Sequence, residues 1–277
     1  IGILIGQRSL LPDNILVALT AVGLIHIVAV SGYNLTIIVD FIKRISSRLS
    51  RFQVLFLSSL LIYGFILITG FSPSIVRASI VSILSLVAWY FGRKIRPVLL
   101  IVFVAALTGY FNPYFVWGDI GWYLSFLAFS GILILAPLII KLTGRAKLPA
   151  LVTIGVETFS AQIMTTPLIM MVFGRVSVVG FLANVITVPF VPFAMLFSFI
   201  AGLAGMIIPA VSGWIGLPAR LLLNAILLVA EKLASLPGAQ KLASLSWQYM
   251  LVSYLAIAIF IVAMNKRSQS VKIRVKE

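Results

Sequence analysis

The sequence predicts an all-α, polytopic membrane protein, and three observations predict it. Of 277 residues, 62% are apolar and only 10% charged, where an average globular chain is about half apolar and a quarter charged. Mean hydropathy is +1.19. The apolar residues also gather in about nine runs, most of them near the ~20 residues that cross a bilayer core as a helix. Too few polar side chains remain to clothe a water-facing surface, so lipid is the main solvent.

The runs lie at 15–42, 54–71, 74–92, 97–112, 120–140, 150–173, 177–208, 213–236 and 247–264. The first would be roughly 42 Å long if straight, and it carries Ser31, Gly32, Tyr33 and Asn34 near its middle. The third opens at Pro73, which pre-sets a helix start. It places Arg77 about one turn in and Ser74, Ala78, Ser85 and Ala88 on one face, a small-residue stripe suited to close helix packing. The fifth opens at Asp119, near a helix N-terminus where a carboxylate is favoured. Trp117, Trp122 and Tyr123 beside it suit an interfacial belt.

The sixth run carries Glu157 on one face with Thr153, Ser160 and Met164. A carboxylate at that depth is protonated or partnered, which makes Glu157 half of a structural ion pair, with Arg77 or Arg220, or a proton site. The seventh run is overlong and contains Asn184, Pro189 and Pro192. Broken or re-entrant helices are therefore expected near Ser31-Gly32 and near Pro189. The eighth carries Arg220, Glu231 and Lys232 and fits either a crossing or an interfacial amphipathic helix.

The formal net charge is +15, from 21 Lys and Arg against six acids. Most of the basic residues fall in four clusters. These are Lys43/Arg44/Arg48/Arg51, Arg93/Lys94/Arg96, Lys141/Arg145/Lys147 and Lys266/Arg267/Lys272/Arg274/Lys276. As orientation signals these clusters are cytoplasmic. Loops 71–74 and 112–119 are then outside, the N-terminus is outside, and 265–277 is a basic cytoplasmic tail. The chain starts at Ile1 rather than Met, which reads as a fragment or trimmed domain.

Several chemistries are excluded. With no cysteine and a single histidine, neither a thiolate cluster nor a His/Cys zinc site can be built. There is no Walker loop and no paired acidic cluster to hold magnesium, so no cofactor, metal or enzyme activity is expected. Two other classes are weighed against that. A Ser31/His26 pair would make an intramembrane serine hydrolase, although the His precedes the Ser on the same segment. Glu157 as a proton carrier would make a small-solute transporter.

Several stretches in order resemble the transmembrane competence domain of the ComEC family. They are Gly2-Ile3-Leu4-Ile5-Gly6-Gln7-Arg8-Ser9, then Gly23 to Asn34, similar to the family's Gly-x-x-His followed by Ser-Gly-x-His. Ser74-x-x-Arg77-Ala78, Asn112-Pro113 and Leu124-Ser125-Phe126 follow. Pro167, Phe173-Gly174 and Ala183-Asn184 leading to Pro189 close the series. Asn34 stands where the family usually has a second His, and Tyr123 where a polar residue often precedes Leu-Ser-Phe.

The resemblance implies a channel domain over 1–264 in the inner membrane of a bacterium, passing single-stranded DNA inward during natural transformation. It also implies an external DNA receptor and a cytoplasmic motor or single-strand-binding proteins as partners; homo-oligomerisation is left open. The family's OB-like and metallo-β-lactamase-like domains are not in this sequence, so no nuclease centre is expected. Phosphates need cations and polar donors, and bases need flat side chains. His26, Ser31, Gly32, Asn34, Arg77, Ser125 and Asn184 are the candidate DNA path, with Tyr33, Trp122 and Tyr123 as candidate stacking groups.

Overall fold

The computed structural model describes residues 11–28, 35, 49–70, 73–93, 95–144, 148–208 and 213–274. The architecture is all-α with one small ribbon. Helices α1 (Asp13–Ala21) and α2 (Ile25–Val28) are joined by a tight turn at Val22-Gly23, where Gly23 takes φ 72°, a conformation that favours glycine. The first apolar run therefore breaks before Ser31-Gly32. The break expected at Ser31-Gly32 lies outside the described residues.

Helix α3 (Arg51–Thr69) is opened by a capping box, in which Ser50 Oγ accepts from the Gln53 amide and Gln53 Oε1 accepts from the Ser50 amide. Helices α4 (Pro73–Tyr90) and α5 (Pro97–Phe111) both start on proline, whose missing N–H costs nothing at a first helical position. A short α6 (Tyr114–Gly118) leads to α7 (Ile120–Leu142). Within α7 the stretch Gly131–Leu135 is wound as a π-helix.

Helix α8 (Ala150–Phe173) holds Pro167 inside it and ends on Gly174 in the left-handed conformation. One turn before the proline, where the helical ladder is loosened, the Tyr254 hydroxyl donates to the Met164 carbonyl at 3.1 Å. Strand β1 (Arg175–Ser177) follows, then α9 (Gly180–Thr187), a 3-10 turn (Val188–Phe190) and α10 (Val191–Ile207). The break expected at Pro189 is thus milder than foreseen. The chain stays helical from Gly180 to Ile207, because a 3-10 turn absorbs the missing proline N–H without unwinding. Helix α11 (Leu217–Ala234), strand β2 (Gln240–Leu242) and helix α12 (Trp247–Arg274) complete the order.

Among the described residues, five helices are long and apolar enough to cross a membrane: α4, α7, α8, Gly180–Ile207 and Trp247–Lys266. Arg51–Leu67 and Pro97–Phe111 are shorter apolar helices. Helix α11 buries Ala219, Ile226 and Ala230, of which Ile226 and Ala230 join Leu19, Leu24, Ala183 and Ala194 in the largest apolar cluster. A second cluster joins Leu35 and Ile62 to Ile75 and Leu86 of α4, and a third joins Leu135 and Leu138 of α7 to Met264 of α12. The small-residue stripe of α4 is only half-buried; its buried residues are Ile75, Arg77, Ser79 and Leu86.

A close helix crossing lies elsewhere. A Cβ on Gly131 would sit 2.5 Å from the Ser160 carbonyl oxygen and 2.8 Å from Ala161 Cα. Only glycine lets α7 approach the backbone of α8 so closely, and it does so at the first residue of the π stretch.

Strands β1 and β2 pair antiparallel, with Val176 opposite Lys241. Arg51 at the start of α3 stands 5.9 Å from the Trp89 ring at the end of α4. Each of these contacts joins chain ends that the distribution of Lys and Arg puts on one side of the membrane.

Candidate functional site

Arg77 is buried, at 3% exposure, among groups from two helices. Its Nη2 donates to Ser74 Oγ at 3.1 Å and to the Gly121 carbonyl at 3.0 Å. Nη1 lies 3.7 Å from Asp119 Oδ2, close enough for ionic attraction and too far for a hydrogen bond. The guanidinium carbon lies 5.8 Å from the centre of the Phe126 ring, within cation–π range. Nε and Nη1 are buried without a hydrogen-bond acceptor.

Local sequence explains the arrangement. Pro73 starts α4 so that Ser74 and Arg77 fall three residues apart, on one face. Asp119 ends the α6 turn and directly precedes α7, and Gly121 lies in the first turn of α7, so both acceptors come from the start of one helix. Asp119 stands at the N-cap position of α7, the helix start expected for it, but it makes no side-chain capping hydrogen bond, and the guanidinium draws its carboxylate instead. A buried cation needs a counter-charge more than a helix end needs a cap.

The same contact revises another expectation. Arg77 does not pair with Glu157, which has no salt bridge among the described residues; Glu157 is half-buried on α8. Arg77 is enclosed rather than open to its surroundings. Trp122, expected in an interfacial belt or as a stacking group, is half-buried; its Nε1 donates to Thr108 Oγ1 at 3.0 Å and its ring meets Phe126 edge-on at 4.7 Å. Tyr123 donates to the Val116 carbonyl, and Trp117 is 87% exposed.

The remaining candidates form a second group. Gly23 approaches Ser177 and Gly180 at the start of α9, to the point that a Cβ on it would lie 3.7 Å from Ser177 Cβ. His26, one turn on, places Nδ1 2.9 Å from the Gly23 carbonyl. Asn184 is buried at 6% exposure and donates to its own helix at the Gly180 carbonyl, 2.8 Å away. Leu24 and Ile27 share an apolar cluster with Ala183, so the His26 turn packs on the helix that carries Asn184. Ser125 lies on α7 four residues after Gly121, beside Phe126, and is half-buried. Ser31, Gly32 and Asn34 lie outside the described residues, and with them the Ser31/His26 pairing and Tyr33.

The candidates are therefore sorted into two groups joined through α8, which packs against both α7 and α9. A recess of about 420 Å³ between α8 and α12 is lined by Gln162, Thr166 and Ser253 among apolar neighbours. Its hydroxyls are already spent, Thr166 on the Gln162 carbonyl and Ser253 on the Tyr249 carbonyl. Sequence reasoning missed Asp119 as the partner of Arg77. The signal was present, since the two stand near segment ends assigned to the same side.

The model of the Competence protein family matches residues 3–267. ComE operon protein 3 of Bacillus subtilis (strain 168) is 28% identical over 200 residues. The match covers 72% of this chain and 25% of that relative, so the chain spans about a quarter of the relative's length. No solved structure matches the chain significantly. A match over nearly the whole chain, on a bundle of apolar helices, makes this a multi-pass inner-membrane protein that belongs to the Competence protein family.

Proposed function

We propose that the chain is a membrane channel domain that passes single-stranded DNA into the cytoplasm during natural transformation. Family membership supports a role in DNA uptake. The observation that carries the finer reading is Arg77, a guanidinium buried in a helical bundle with donors left unmet. Ionisable groups at membrane depth are costly and mark pathways, and a polyanion is the solute such a cation suits. Arg77 and Ser125 form one polar station on the path. The turn at His26 and the helix at Asn184 form the other, with Ser31, Gly32 and Asn34 continuing from it. Glu157 lies on the helix joining the two, as a proton site. Work is supplied by a cytoplasmic motor or by single-strand-binding proteins that trap the strand, and an external receptor delivers it.

The test is entry of labelled DNA into the cytoplasm as nuclease-protected single strand. The host is deleted for the gene and complemented with the full-length protein, wild type or Arg77→Ala, at matched membrane abundance. Wild type restores protection, and Arg77→Ala lowers it by about tenfold or more, as expected for losing a charge-assisted contact. Normal import by Arg77→Ala and Asn184→Leu proteins that reach the membrane overturns the path assignment.

A further inference from the structure

The Arg77–Asp119 pair is unequal. The Arg77 side chain is 4% exposed and that of Asp119 24%, so the carboxylate is the more accessible partner. At 3.7 Å it neutralises the guanidinium electrostatically and fills none of its donors. Ser74 Oγ and the Gly121 carbonyl are both spent on Nη2, and Phe126 offers only its ring. Nε and Nη1 stay buried with nothing to donate to. Unmet donors on a buried cation are costly, and a guanidinium fork is shaped for the oxygens of phosphate.

We infer that Asp119 is the resident counter-ion of a phosphate site on Arg77, and that a backbone phosphate of the passing strand displaces it. This rests on the channel reading above. A non-bridging oxygen of a phosphodiester satisfies Nη1 at hydrogen-bond distance, which Asp119 at 3.7 Å does not. When that phosphate moves on, Asp119 returns and holds the charge neutral until the next arrives. No covalent bond changes in the exchange. Asp119 thus weakens each phosphate contact and speeds its release, so that the strand is admitted without being trapped. A transport path needs sites weak enough to leave.

The experiment measures import against DNA concentration in the deleted host, complemented with full-length protein at matched membrane abundance. The variants are Asp119→Asn, which keeps the shape and removes the charge, Arg77→Lys, which keeps the charge and removes the fork, and the double variant. Asp119→Asn is expected to lower the half-saturating DNA concentration at least about fivefold, the low end of coupling between sites, and to lower the saturating rate. Neither change is expected when Asp119→Asn is made in the Arg77→Lys background. Binding of oligo-dT to the purified protein in nanodiscs is expected to tighten in Asp119→Asn, and binding of a methylphosphonate oligo-dT is not. An unchanged half-saturation overturns the exchange. So does a gain that survives with Arg77→Lys or with the methylphosphonate, since it reports only a general field. If import is unaffected by deleting the gene, the channel reading itself fails, whereas in an overturned exchange the deletion still stops import.

Discussion

At the scale of the residue, a few polar groups of the apolar helices reach across to a neighbouring helix. Thr108 is buried and serves twice, donating to the Val104 carbonyl at 2.8 Å and accepting from the Trp122 indole at 3.0 Å. Thr108→Val keeps the shape and removes the acceptor, leaving an indole N–H unmet at a cost of about 1–3 kcal/mol. The expected outcome is a lower apparent Tm of the detergent-solubilised chain; an unchanged Tm would mean that the indole finds another acceptor. Arg77 was legible in the sequence because a cation inside an apolar run is rare. Its partner was not, because Asp119 sits on a different segment, where helix-end chemistry alone accounts for a carboxylate.

At the scale of the element, lipid selects helices without regard to their neighbours, since every backbone group must be satisfied within the segment. That is why the apolar runs anticipate the helices so closely. The π stretch Gly131–Leu135 was not legible; it is an unbroken apolar run, and its winding goes with the approach of α8. Gly131→Ala places a methyl group against the Ser160 carbonyl, which belongs to backbone and cannot swing away. It is expected to destabilise the chain by about 1–3 kcal/mol, read as a lower Tm and lower membrane abundance. Gly202→Ala is the control, since a Cβ there meets nothing within 4 Å. Equal effects at both positions would refute the close crossing. Pro189 was expected to break its helix and instead sits in a single 3-10 turn, because the flanking residues keep helical backbone on both sides.

At the scale of the whole molecule, the β1–β2 ribbon ties the end of α8 to the start of α12 and so requires both to emerge on one side. The chain contains no native cysteine, which makes this testable directly. Val176→Cys and Lys241→Cys face each other across the ribbon and are expected to form a disulfide under mild oxidation. A membrane-impermeant maleimide is expected to label Lys241→Cys in intact cells and to leave Lys141→Cys unlabelled until the cells are opened. The opposite labelling would reverse the orientation taken from the basic clusters.

The sequence by itself determined the solvent, the helical class, the expected sidedness and the family. Each of these acts on one segment at a time, through apolar content, Lys and Arg counts, or a local run of residues. The tertiary structure alone decided that Arg77 faces Asp119 rather than Glu157, that α7 meets α8 at Gly131, and that residues 175–177 pair with 240–242. Lipid tails are as apolar as the helices they surround, so the hydrophobic effect does not choose between neighbours. That choice falls to close packing and to the few polar groups, whose partners become visible only once the helices are side by side.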